Sequence, residues 1–155
     1  MTNLEEEIRF LILALQREGN RLLAAALAPA ELTPSQAEVI SLLAEHNQLS
    51  LKGLGALLVC ETGENPSRLV DRMVARGLVL RHRSKEDARS VTLQLSDAGR
   101  QLYDQAVAPV EQALHAQIGS AIPKGQLEKL HELLANFAAA SGADAAIVAR
   151  REQAS

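Results

Sequence analysis

Apolar positions along this 155-residue chain follow two different periods. Residues 4 to 27 place Leu4, Ile8, Leu11, Ile12, Leu15, Leu22, Leu23 and Leu27 at helical spacing and predict one long leading helix. Its apolar stripe must be buried against its own domain or against a second subunit. Pro29 ends it. Thr33-Pro34-Ser35-Gln36 then opens a second helix, with Thr33 as N-cap, Pro34 in the first helical position and Gln36 completing a capping box. This helix runs to about Glu45 with Ala37, Ile40, Leu43 and Ala44 inward, and Asn47-Gln48 marks a turn. Ser50 caps a short helix through Leu54, Leu57 and Leu58. After a loop at Cys60-Glu61-Thr62-Gly63-Glu64, Asn65-Pro66 starts another helix. Leu69, Val70, Met73 and Val74 form one face of it, Ser67, Arg68, Asp71, Arg72 and Ala75 the other. Gly77 ends it.

Past Gly77 the period falls to two. Leu78 to Arg83 reads as a strand, Ser84 to Ala88 as a charged tip, and Ser90-Val91-Thr92-Leu93-Gln94-Leu95 alternates strictly as a second strand. Ser96-Asp97 caps the next helix, whose stripe is Leu102, Ala106, Val110, Ala113, Leu114 and Ile118, with a kink expected at Pro109. Pro123 opens a last strong helix through Leu127, Leu130, Leu134 and Phe137 to Gly142. Residues 143–155 are Ala-rich and weakly patterned, and read as a weakly structured tail or a frayed helix.

Charge sharpens this picture. Seven cations (Arg68, Arg72, Arg76, Arg81, Arg83, Lys85, Arg89) face three acids (Asp71, Glu86, Asp87) between Asn65 and Arg89, so that stretch is net +4 on a chain of net −3. A basic patch on an acidic protein suits neutralisation of nucleic-acid phosphates. Only Phe10, Tyr103 and Phe137 are aromatic, which argues against binding single strands by base stacking. The single cysteine, Cys60, excludes an intramolecular disulfide and a cysteine-only metal site, as in a reducing compartment. Glu5-Glu6-Glu7 stand where a signal peptide would be basic, and no run reaches the ~20 apolar residues of a membrane span. The expected protein is cytoplasmic, with no membrane association.

Helix, helix, turn, helix and two-stranded hairpin together read as a winged helix-turn-helix. The basic helix 66–76 fits the major groove, and the hairpin tip reaches the adjacent minor groove. Arg68 and Arg72 are the major-groove candidates, with Ser67 on the same face; Lys85 and Arg89 are the wing candidates, supported by Arg83. Asp87 is expected to brace Arg89, Lys52 to touch a phosphate, and Arg76 to be a phosphate or surface residue. Asn65 is placed to cap the helix or to read a base. Asp71, between Arg68 and Arg72, can hold an arginine by ion pairing.

Several of these residues carry a resemblance. Leu32-Thr33-Pro34-Ser35-Gln36, Ser67-Arg68-Leu69-Val70-Asp71-Arg72-Met73, Gly77-Leu78-Val79, the wing Asp87-x-Arg89 and Leu95-Ser96-x-x-Gly99 are similar to the MarR family of bacterial transcriptional regulators over about residues 4–141. The resemblance implies a mainly α protein with a small β-hairpin wing: a winged helix-turn-helix flanked by dimerisation helices. It implies an N-terminal dimerisation helix over 1–30, the DNA-binding domain over 31–100 and C-terminal dimerisation helices over 101–142. It further implies a homodimer on a pseudo-palindromic double-stranded operator. The function implied is repression, released by a small-molecule effector, phenolic or aromatic-acid in class, held between winged domain and dimer helices. Arg17, Asn20 and Arg21 are conceivable polar groups near such a pocket, though none is assigned to it. Two departures stand out. The turn from Val59 to Asn65 is one residue longer and more acidic than usual, and Ala88 stands where many members have Arg.

Other readings compete. Cys60 could sense oxidants, since a helix N-terminus lowers a thiol pKa; Glu61 and Glu64 oppose that, and Leu57-Leu58-Val59 before it favour a buried structural thiol. A winged-helix dimer that binds protein instead of DNA is the other alternative, although its docking helix should expose apolar anchors. The four histidines form no metal site by spacing: Glu111 and His115 are i, i+4 on one helix face, but His46 lies at the wrong end of its helix to join them. No cofactor motif is present, and no nucleophile or Gly-rich phosphate loop points to an enzyme.

Overall fold

The computed structural model describes residues 3–60, 65–87 and 89–154. Helix α1 (Leu4–Leu27) is capped by the Asn3 side chain and ends in a 3-10 turn, Ala28–Ala30. Helix α2 (Pro34–His46) carries the expected capping box: Thr33 N donates to Gln36 Oε1 at 3.1 Å, and Gln36 N donates to Thr33 Oγ1 at 3.3 Å. Its apolar residues are not confined to one face. Ala37, Val39, Ile40, Leu42 and Leu43 are all buried, so α2 is the central helix of the fold. Helix α3 (Leu51–Leu57) is capped by Ser50, and helix α4 (Pro66–Ala75) by Asn65. Gly77 has φ 71°, and the bonds Gly77 N to Val74 O (2.9 Å) and Leu78 N to Met73 O (3.0 Å) close α4 in a Schellman motif.

Strands β2 (Val79–Arg83) and β3 (Val91–Leu95) pair antiparallel, from Val79 opposite Leu95 to Arg83 opposite Val91. A third strand joins them. Leu49–Ser50 forms β1 and pairs with Leu93 and Thr92, so the sheet order is β1-β3-β2. The sequence gives no sign of it, because a two-residue strand has no period to read.

Helix α5 (Asp97–Leu102) starts at the Leu95-Ser96-x-x-Gly99 motif, and packing explains the motif. Ser96 Oγ accepts from Gly99 N at 3.0 Å and donates to Gly77 O at 2.6 Å, while Ser96 N donates to Leu78 O at 3.0 Å. A Cβ on Gly99 would lie 2.1 Å from the Leu78 carbonyl oxygen, so only glycine lets α5 approach the end of α4. After α5 the chain opens into a π segment, Tyr103–Val107, and resumes as helix α6 (Ala108–Ala121). The irregularity expected at Pro109 takes this form. Pro109 has no amide hydrogen for the Gln105 carbonyl, and the chain answers with a wider turn one step earlier. Helix α7 (Lys124–Ala140) follows.

The tail is a correction. Residues Ala145–Gln153, expected to be weakly structured, form helix α8. Its sequence pattern is weak because the tie that holds it is polar: Arg150 Nε donates to Leu57 O at 2.8 Å, and Arg150 Nη2 donates to Glu38. No single helix among the described residues is long and apolar enough to cross a membrane.

Because the Gly99 contact is with backbone, no rotamer change relieves it. Gly99→Ala is expected to destabilise the fold by at least about 2 kcal/mol and to lower Tm by about 4 °C or more, measured by thermal unfolding followed by circular dichroism.

Candidate nucleic-acid interface

Helix α4 presents its basic face because the other face is anchored. Leu69, Val70 and Met73 are fully buried, which turns Ser67, Arg68, Asp71 and Arg72 outward. Asn65 Oδ1 accepts from Arg68 N at 2.9 Å, so its side chain caps the helix whose N-terminal end would enter a groove. Ten residues make α4 about 15 Å long, a length the major groove accepts.

The hairpin tip is shaped by its own polar groups. Ser84 N donates to Ser90 O and Ser90 N to Asp87 O, each at 3.0 Å. Ser84 Oγ accepts from Glu86 N (3.2 Å) and Asp87 N (3.3 Å). Asp87 Oδ1 accepts from the backbone N of Arg89 at 3.0 Å. Asp87 thus braces Arg89 through the main chain and fixes where that residue leaves the turn. Arg83, Lys85 and Arg89 are exposed, as is Lys52 in the first turn of α3. The expectation about Ala88, and those about the length and acidity of the turn at residues 61–64, lie outside the described residues.

Arg81 and Arg76, both in the basic stretch, have tasks inside the fold. Arg81 Nη2 donates to Asp71 Oδ1 at 2.5 Å and ties strand β2 to helix α4. Asp71 is therefore an anchor for the wing, and the arginine it holds comes from the strand. Arg76 donates to Glu31 O (2.7 Å) and Ala30 O (3.4 Å), satisfying carbonyls at the 3-10 turn. The residue itself stays exposed while these two bonds tie it to the fold.

A cavity of about 630 Å3 lies behind this surface, between the winged domain and helices α1 and α6. Leu23, Leu42, Val107 and Val110 give it apolar walls, with Glu111 and Arg150 among its polar groups. Ser41 Oγ donates to Glu111, joining α2 to α6 across it. From α1 it is lined by Leu23 and Leu27, while Arg21 pairs with Glu18 at 2.6 Å on the outside of that helix. Cys60 also borders the cavity. Burial first, and then the nearby Glu38 carboxylate, push its thiol up to about 11, against the opposing influence of Arg150. The thiol is neutral at pH 7 and poorly nucleophilic. The residues that sequence reasoning missed are Glu38, Ser41 and Arg150, whose partners lie far away in the chain.

A basic helix anchored in a core, a polar wing beside it and a third strand behind define a winged helix-turn-helix protein. Comparison with known proteins narrows this. Residues 32–91 match the model of the MarR family. The chain is 35% identical over 104 residues to the organic hydroperoxide resistance transcriptional regulator of Bacillus subtilis (strain 168), covering 67% of this chain and 70% of that one. It is 30% identical over 108 residues to the homoprotocatechuate degradative operon repressor of Escherichia coli, covering 70% and 72%. In structure it is similar to a mutant of the MarR protein of Escherichia coli complexed with operator DNA, with TM-score 0.73 and 26% identity over 88% of this chain and 99% of that one. The chain belongs to the MarR family of transcriptional regulators. The family match ends at residue 91, so α5 to α8 lie beyond it.

Two measurements test the local chemistry. Asn65→Ser keeps a cap and Asn65→Ala removes it at a cost of about 1 kcal/mol; a residue that only caps gives wild-type DNA affinity in the Ser variant. For Cys60, alkylation in the folded protein should be slow at pH 7 and keep accelerating above pH 9, as the thiolate forms towards about 11. Because the folded pKa is the higher one, the thiol's contribution to stability is complete below pH 9 and lost between 9 and 11.

Proposed function

We propose that this protein is a homodimeric repressor that binds a pseudo-palindromic double-stranded operator and releases it when a small molecule occupies the cavity behind the winged domain. The observation that carries this reading is the exposed basic face of α4 beside a hairpin tip bearing Lys85 and Arg89. Arg68 and Arg72, with Ser67, contact base edges or phosphates in the major groove. Lys85 and Arg89 reach the minor groove, Asp87 sets the tip, and Lys52 and Asn65 flank the contact. The operator complex of the similar Escherichia coli protein supports DNA as the partner. The known relatives are regulators, which supports a role that is not enzymatic.

Dimerisation is supported by apolar side chains that one chain leaves uncovered. Leu4 (67% exposed) and Leu15 (72%) on α1, and Leu133 (55%) and Phe137 (56%) on α7, need a cover such as a second copy. A two-fold dimer carries two copies of α4, which suits half-sites about 34–36 Å apart. In this organisation residues 1–30 and 101–142 supply the dimer helices and 31–100 the DNA-binding unit. The cavity sits where an occupant touches both, so a ligand that favours one spacing of the two recognition helices shifts DNA affinity. A phenolic or aromatic acid, the class the family resemblance implies, can place its ring against Leu23, Val107 and Val110. The oxidant-sensing alternative through Cys60 fits poorly, because that thiol is half-buried and held neutral.

Operator-affinity measurements with selected DNA test the assignment. Arg68→Ala should cost about 1–3 kcal/mol and relax sequence preference. Arg89→Ala should also weaken binding, and log affinity should fall with log salt at about −0.9 per phosphate contact. Operator binding unchanged in both variants would sink these roles. A wild-type protein with no salt-sensitive DNA affinity would favour the protein-binding alternative.

A further inference from the structure

Helix α8 reaches back to the part of the fold that presents the recognition helix. Glu38, in α2, the helix that precedes the helix-turn-helix pair α3 and α4, is the meeting point. Its carboxylate accepts from Val59 N at 2.7 Å and from Cys60 N at 2.8 Å, the backbone that leaves α3 toward α4. Arg150 donates to the same carboxylate and, through Nε, to the carbonyl of Leu57, the last residue of α3. One planar guanidinium therefore bridges α2 and the C-terminal end of α3, and the carboxylate it holds secures the start of the turn. The Glu38 side chain is only 10% exposed, so its charge needs compensation where it sits. A guanidinium supplies this in fork geometry that an ammonium lacks.

From this geometry we infer that Arg150 is a positioning residue for operator recognition: the C-terminal helix clamps the α2–α3 corner and so sets the angle at which α4 meets the groove. The clamp joins α2 to α3, and both of these helices pack directly against α4. Arg150 borders the cavity and is assigned no contact with DNA. Its loss should therefore affect the discrimination between operator and random DNA, which depends on where Arg68 and Arg72 stand, more than the phosphate contacts shared by all sequences.

This inference rests on the DNA-binding reading, and the experiment separates the two. Operator DNA is selected from random sequence with the wild-type protein. The full-length variants Arg150→Ala, Arg150→Lys, Glu38→Gln and the double variant Glu38→Gln/Arg150→Ala are then titrated with operator and with random duplex. The expected result is a loss of about tenfold in operator affinity for Arg150→Ala. Random-duplex affinity and salt slope should stay at wild-type values, Arg150→Lys should be intermediate, and the double variant should be little worse than either single one. Amide exchange at Val59 and Cys60 should accelerate in Arg150→Ala while core amides of α2 keep their protection. Unchanged operator affinity in Arg150→Ala overturns the inference. So does a parallel loss on both DNAs together with faster exchange throughout α2, which marks general destabilisation. If wild type binds no DNA, the DNA-binding reading fails; unchanged exchange at Val59 and Cys60 in Arg150→Ala would then refute the clamp separately.

Discussion

Val39, Ile40 and Leu43 have no exposed surface, and the helix that carries them, α2, is packed on most of its circumference, with one side on the cavity. It packs against α1, α3, α4, β3, α5 and the π segment. An interior packed at crystal-like density does not let such a helix turn or slide without opening voids. The elements around it are consequently fixed relative to one another. That is how α4, which has few residues of its own in the core, keeps a defined direction: Leu69, Val70 and Met73 enter the same core as α2. The wing is fixed next, through the Asp71–Arg81 pair and the approach of Gly99 to the Leu78 carbonyl. Burial at the centre thus controls the geometry of charges at the surface.

Those charges divide by what holds them. Arg76 and Arg81 lie in the basic stretch but are used inside the fold, and Asp71 is consumed with Arg81. Arg68, Arg83, Lys85 and Arg89 are exposed, against the acids Glu86 and Asp87. Asp87 spends one oxygen on the backbone of Arg89. The outward balance therefore stays positive after the internal pairs are removed, on a chain whose remaining residues are acidic. A field of that shape orients the protein on approach to a polyanion before any contact forms.

Most of the fold was legible in the sequence where the signals are local. Thr33, Ser50, Asn65 and Ser96 each cap the helix expected of them, because a side chain and an amide two or three residues away decide a cap. The hairpin was legible from strict alternation, and the basic face of α4 from helical period. What escaped depends on distant residues. Strand β1 exists because Leu49 and Ser50 meet β3, some forty residues later in the chain. Helix α8 has a weak pattern, and Arg150 finds its partners 93 and 112 residues away. The partners of Asp71 and Arg76 are distant for the same reason: Arg81 lies 10 residues from Asp71, and Glu31 lies 45 residues from Arg76. A charge count treats an arginine alike whether it faces solvent or a carbonyl across the fold.

Helix α1 joins these two scales. Its N-terminal part leaves Leu4, Ile8, Leu11 and Leu15 exposed at helical spacing, whereas Leu23 and Leu27 enter the core and the cavity wall. From Leu4 to Leu22 is about 27 Å of helix. Over that length the helix has little support from its own chain, and helices draw most of their stability from packing of the apolar face. In the proposed dimer a second copy supplies that packing. The same rigid rod then has one end in the subunit interface and the other against α2. Within the chain, α1 rests directly on α2, the helix that fixes α4. The cavity lies beside Leu23 and Leu27, at the end of that rod, with Val110, Leu114 and Ile118 of α6 on its other wall.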